Sequence, residues 1–245
     1  MSDWLSPETV DTVTRYLDLA GVFACGILGG VVARTRGLDL FGYLMVGVVS
    51  GLGGGIIRDT LLQHGTPVAL TDPVYLPTAF AGAFLAFLVS IGEEQWKRVF
   101  TALDAAVLGF WAVTGAHQSL AVGLGWLPAV LLGTVTAVGG GAVRDLLLSR
   151  VPAVFGGNGL YASVAMVVAA VFVVCSYCGL PTLGIVLGVV LALVLHIAAT
   201  RFGWTLPGGL HMEDTDAARA VKNASLTVRT RPSRRPRPRA PRDDP

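Results

Sequence analysis

Long apolar runs separated by short polar breaks fill most of this chain, and that alternation predicts the fold. Seven runs are long enough to cross a hydrocarbon core of about 30 Å at roughly 1.5 Å per residue: residues 17–33, 38–57, 75–92, 99–119, 125–148, 159–178 and 181–200. The apolar residues are continuous rather than alternating, and the runs are too long for the ~10-residue strands of a membrane barrel. Polar punctuation marks the ends: Arg34 and Arg36 after the first run, Glu93-Glu94 after the third, Gly179-Leu180-Pro181 between the last two. The expected fold class is an all-α membrane protein with seven transmembrane helices.

The second and fifth runs end alike, in Gly53-Gly54-Gly55-Ile56-Ile57-Arg58-Asp59 and Gly139-Gly140-Gly141-Ala142-Val143-Arg144-Asp145. The offset is 86 residues, counted from 53 to 139, 58 to 144 and 59 to 145. The same offset pairs Asp18 with Asp104, Gly29 with Gly115, Gly47 with Gly133 and Tyr75 with Tyr161, without a gap. The chain therefore reads as two copies of a three-helix unit, then a seventh helix and a tail. Three is odd, so successive copies enter the bilayer from opposite sides, which makes the repeat inverted. Such repeats place a site near the midplane, where glycine-interrupted helices of the two halves meet.

Composition agrees with this reading and adds a direction. Hydrophobic residues make up 53% and charged ones 14%, against about 25% charged in soluble domains. Half of the 18 Lys and Arg residues follow position 218. With the N-terminus outside, the inner loops collect Arg34, Arg36, Lys97, Arg98, Arg144, Arg150, Arg201 and the tail, while Arg15, Arg58, His64 and His117 stay outside. The positive-inside rule selects that orientation. The expected layout is an extracytoplasmic N-terminus (1–16), a first repeat (17–92), a cytoplasmic linker (93–98), a second repeat (99–178), a seventh transmembrane helix (181–202) and a disordered cytoplasmic Arg/Pro-rich tail (206–245). In the tail, Arg234, Arg235, Arg237 and Arg239 are candidates for anionic lipid headgroups. A solvated tail that only reinforces topology is the alternative, and no aromatic or folded platform favours nucleic acid.

The candidate chemistry lies in the repeated motif. Three residues without Cβ make a helix easy to break, and freed carbonyls are ligands for dehydrated monovalent cations. Close helix packing is the plainer use of glycine in membranes. Arg58, Asp59, Arg144 and Asp145 follow within a turn; neighbours at i and i+1 do not share a helix face, so each is expected to pair with a neighbouring helix or backbone end rather than within its own dipeptide. Asp18 and Asp104 are expected to cap the first helix of each repeat, and His196 to be a hydrogen-bonded packing residue. Cys25, Cys175 and Cys178 read as small packing residues. There is no Walker lysine after the glycines, no zinc spacing and no Ser-His-Asp arrangement, so an enzyme, a metal site and a bound cofactor are not expected.

At the paired glycine–Arg-Asp segments, together with Leu103-Asp104-Ala105, Thr114-Gly115-Ala116 and Gly37-Leu38-Asp39-Leu40-Phe41-Gly42, the sequence resembles the prokaryotic branch of the trimeric intracellular cation channels. That branch overlaps a bacterial family labelled as a glycine-transporter domain. The resemblance, from about Asp18 to Arg201, implies a homotrimer in the prokaryotic cell membrane. It implies a potassium-conducting pore in each protomer, lined by kinked second and fifth helices that bring Gly53, Gly54, Gly55, Gly139, Gly140, Gly141 and the Arg-Asp pairs to the pathway. The alternative it leaves is a secondary transporter of glycine or another small amino acid.

Overall fold

The computed structural model describes residues 7–89, 93–155 and 160–204; the tail from 206, with Arg234, Arg235, Arg237 and Arg239, lies outside them. The described residues form eight α-helices: α1 (Pro7–Thr35), α2 (Leu40–Leu62), a short α3 (Val68–Thr71), α4 (Tyr75–Leu88), α5 (Glu93–Ala121), α6 (Trp126–Leu147), α7 (Tyr161–Tyr177) and α8 (Pro181–Phe202). Each apolar run has become one helix. The sequence did not predict α3 or the 3-10 turn at Ala153–Phe155, which occupy matching places in the polar segments after α2 and α6.

Helices at Glu8–Thr35, Leu40–Leu62, Trp126–Leu147 and Pro181–Ala199 are long and apolar enough to cross a membrane. α4 is apolar but has 14 residues, about 21 Å of rise, and α7 has 17. Large apolar side chains remain exposed in rows, as on α8 with Leu183, Val186, Leu187, Val190, Val194 and Ile197. A soluble monomer does not carry so broad an apolar face; lipid or a neighbouring protein is the surrounding these residues fit.

The packing repeats with the sequence. α1 packs on α2 and α4, α5 packs on α6 and α7, and the two groups meet where α2 crosses α6 and α1 crosses α5. α8 lies against α5 and α7. Small residues set the distances. A Cβ on Gly29 would run into Ser50 and Gly47, and one on Gly115 would run into Thr136 and Gly133; each contact is the other's counterpart at the 86-residue offset. Asp39 caps α2 by accepting from the Gly42 N–H at 2.8 Å. Basic residues tie one end of the bundle together: Arg34 donates to the Ala86 and Phe87 carbonyls, Arg36 to the Leu148 carbonyl at 2.9 Å, and Arg150 to Thr35 Oγ1 at 3.2 Å.

Two expectations fail here. α2 and α6 run through their glycine triplets as continuous helix, and no triplet residue has a positive φ, so the expected break with freed carbonyls is absent. The reason is tertiary: the missing Cβ atoms are used to bring two helices together, and that packing outweighs the glycines' weak helix propensity. Asp18 and Asp104 are not caps. Each helix begins more than two turns earlier, at Pro7 and Glu93, because polar residues that end an apolar run do not end the helix.

Candidate functional site: two related half-sites

The glycine triplets divide their work. A side chain on Gly54 would strike the Thr136 carbonyl, and one on Gly140 would strike the Ser50 carbonyl. Gly53 and Gly139 sit in the same crossing, with Cβ positions 3.3 Å from Gly140 Cα and 3.4 Å from Gly54 Cα. The third glycine faces elsewhere. A Cβ on Gly55 would meet only Arg58 Nη2, at 3.6 Å, and one on Gly141 only Arg144 Nη2, at 3.8 Å. Two glycines in each run make the helix crossing, and the third leaves space beside the arginine of its own repeat.

Around each arginine the same four groups assemble. In the first repeat, Tyr75 Oη donates to Asp18 Oδ2 at 2.7 Å, and Arg58 Nε donates to Asp59 Oδ1 at 2.7 Å. The Val68 N–H holds the other Asp59 oxygen at 2.9 Å. In the second repeat, Tyr161 Oη donates to Asp104 Oδ1 at 3.1 Å, Arg144 Nε to Asp145 Oδ1 at 2.9 Å, and the Ala153 N–H to Asp145 Oδ2 at 3.3 Å. The adjacent Arg and Asp therefore do pair within the dipeptide, against the sequence expectation. The long arginine folds back onto its neighbour's carboxylate, through Nε in Arg58 and through both Nε and Nη2, each at 2.9 Å, in Arg144. The segment that returns after the helix fixes the far carboxylate oxygen, and this is the expected contact with a backbone end. Neither Arg58–Asp145 nor Arg144–Asp59 forms an ion pair.

Charged groups this far from water are expensive and usually functional in a membrane. The two half-sites solve the problem differently. Arg58 is 1% exposed, and among the described residues its Nη1 has no hydrogen-bond partner. The space beside it, between Asp18, Asp59, Tyr75 and Trp111, is only about 10 Å³. Arg144, Asp145, Asp104 and Tyr161 instead line a cavity of about 560 Å³, which Arg150 and His196 also reach. His196, from α8, stands 3.7 Å from Asp104 Oδ2 and packs edge-on against the Tyr161 ring. It is thus a packing residue that also faces the cavity. At the other end of the molecule, smaller hollows lie beside His117, where its Nε2 is 2.8 Å from Asp11, and beside His64 and Asp59.

A protein-family model described as glycine transporter matches residues 15–90 and again 101–177, so one model recognises each repeat. Curated relatives include a UPF0126 membrane protein of Deinococcus radiodurans, 38% identical over 162 residues, 66% of this chain and 75% of that protein. The UPF0126 inner membrane protein YadS of Escherichia coli K12 is 32% identical over 195 residues, 78% of this chain and 94% of its own. The solved structure of the trimeric intracellular cation channel orthologue from Rhodobacter sphaeroides superposes with a TM-score of 0.73 at 32% identity, over 78% of this chain and 99% of that one. The chain belongs to the trimeric intracellular cation channel family. A second solved member, from a study of conductance through these channels, gives a TM-score of 0.71 at 30% identity, over 79% of this chain and 96% of that one. Membership makes the chain an integral membrane protein and sets it apart from enzymes, as the sequence indicated.

Within this family fold, Gly53, Gly54, Gly139 and Gly140 share the α2–α6 crossing, whereas Gly55 with Arg58-Asp59 and Gly141 with Arg144-Asp145 belong to the two separate half-sites. Sequence reasoning missed Tyr75 and Tyr161 as partners of Asp18 and Asp104. The signal was present, since both members of each pair recur at the same offset. Trp111 was missed for the opposite reason: it matches nothing, because its counterpart at the offset is Cys25.

Proposed function

We propose that the chain is a passive channel for monovalent cations, potassium among them, with a conduction path inside each protomer of a homotrimer. The path follows α2 and α6 from the cavity at Arg144 and Asp145, past the glycine crossing, to Arg58 and Asp59. One observation carries the reading: a cavity of about 560 Å³ lined by a single chain, with Asp104, Asp145, Arg144 and the third glycine of α6 in its wall. Carboxylates there attract cations, and the arginine limits how firmly a cation is held, which suits passage rather than storage. The neighbours' description as trimeric intracellular cation channels supports both the cargo and the trimer.

The associated topology is seven spans in two inverted three-helix repeats, with the N-terminus outside, the C-terminus in the cytoplasm and the 560 Å³ cavity opening to the cytoplasm. The duplicated packing and the gathering of Arg34, Arg36 and Arg150 at one end support it. The tail arginines 234, 235, 237 and 239 are assigned to anionic lipid headgroups on sequence grounds. Purified full-length protein in planar bilayers tests the central claim. Discrete potassium currents without any amino-acid gradient are expected. Absence of current, together with saturable proton- or sodium-coupled glycine uptake in liposomes, would replace the channel with the secondary transporter.

A further inference from the structure

One exchange distinguishes the two half-sites beyond their common Asp, Arg-Asp and Tyr groups. The small space beside Arg58 is lined by residues of the first repeat with a single exception, Trp111 of α5. Trp111 is 2% exposed and lies close enough to Asp18 to interact with its carboxylate. Across from it is Gly21 of α1, where a Cβ would lie 2.7 Å from the indole Nε1. Moving by 86 residues, Trp111 corresponds to Cys25 and Gly21 to Val107. The crossing of α1 and α5 therefore carries a size exchange: tryptophan against glycine on the Arg58 side, cysteine and valine at the matching positions on the Arg144 side. Cys25 does not reach the wall of the large cavity, whereas Trp111 forms part of the wall of the small one. A large flat ring thus stands where the open half has only a thiol.

We propose that Trp111 is the plug that closes the Arg58 half of the conduction path. Gly21 supplies the recess that admits the indole edge, and retraction of the ring from Asp18 and Arg58 joins the two halves. The proposal rests on the channel reading for its consequence, but the closure itself is a statement about access of water to Gly55 and Arg58.

The third glycines make the test possible, because Gly55 and Gly141 both have room for a side chain. In full-length protein with Cys25, Cys175 and Cys178 changed to alanine, Gly55→Cys and Gly141→Cys serve as matched reporters for a cationic, water-soluble methanethiosulfonate reagent. With Trp111 in place, labelling at position 55 is expected to be at least tenfold slower than at 141. Adding Trp111→Ala should bring the two rates within about threefold, and Trp111→Phe, which preserves the core ring, should move position 55 the same way by less. Potassium flux from proteoliposomes should rise severalfold in both variants. Equal labelling at 55 and 141 with Trp111 present would overturn the plug, as would unchanged labelling at 55 in either variant while it retains the wild-type oligomer. If position 55 becomes reachable but no potassium moves in any variant, the plug stands and the channel reading falls. If wild type conducts and Trp111 variants alter neither readout, the channel stands and the plug falls.

Discussion

The two arginines, Arg58 and Arg144, have the same neighbours and different surroundings. Each pairs through Nε with the next residue's carboxylate, and each half-site sets a tyrosine hydroxyl on an aspartate of the helix before. Yet Arg58 is sealed beside a space of about 10 Å³, while Arg144 looks into one of about 560 Å³. Duplication supplies the polar framework, and a few unmatched residues line the space beside it in each half. Trp111 fills one half, and α8, which has no counterpart in the first repeat, brings His196 to the other. The outcome is one wide and one narrow half-site, so the surroundings of the shared polar groups depend on how far the repeats differ as well as on how far they agree.

The largest test of that contrast removes the cations themselves. Arg58→Met leaves the Asp59 carboxylate buried without its partner, a change that costs about 3–5 kcal/mol when a buried pair is broken from one side. Arg144→Met should cost less than half as much, because cavity water can solvate Asp145. Melting temperatures of the two variants in one detergent would show the difference. Equal losses would mean that the two arginines share one environment, and the comparison would collapse.

A second test separates the helix crossing from the half-sites. Gly54→Ala and Gly140→Ala each push a methyl group into a carbonyl of the facing helix, where backbone cannot yield, and overpacking of this kind costs about 1–3 kcal/mol. Gly55→Ala and Gly141→Ala have open space and should be neutral, or gain up to about 0.5–1 kcal/mol from better helix propensity. Thermal unfolding of the four single variants checks this. Destabilisation by Gly55→Ala as large as by Gly54→Ala would show that all three glycines serve the crossing.

Much of this architecture was readable beforehand, for physical reasons that can be traced to particular residues. Apolar runs fix helices in a membrane because every backbone group must be satisfied within the segment, so α2, α6, α7 and α8 ended within a few residues of their expected limits. The 86-residue offset located the matching Gly-Arg-Asp and Tyr positions before any contact was visible. The behaviour of the triplets was not readable: Gly53 to Gly55 have the same composition whether they break a helix or let another helix approach, and only the position of Thr136 and Gly140 decides. Nor could spacing show that Arg58 folds back onto Asp59, since this depends on Val68 returning to hold the second carboxylate oxygen. Trp111 was hidden in the repeat by being its exception.

The smallest effect concerns the rim of the closed half. Arg15 Nη2 donates to Asp72 Oδ2 at 2.7 Å, tying α1 to the turn before α4. The positions 86 residues later are Thr101 and Asn158, so the open half has no equivalent ion pair in its sequence. The Val74 N–H and then the Arg15 guanidinium hold the Asp72 carboxyl below the usual carboxylate range. A carboxyl whose pKa is lowered by folding adds stability that is fully present above its unfolded value of about 4. The contribution disappears as pH falls through the lowered folded value. Wild type should therefore melt slightly above Asp72→Asn at neutral pH, and the two curves should converge on acidification below about pH 4. Arg15→Gln should remove only part of the difference, since the Val74 N–H remains. A gap between wild type and Asp72→Asn that stays constant down to pH 3 would mean that the side chain's shape, not its charge, ties the rim. The latch would then be no part of what separates the closed half from the open one.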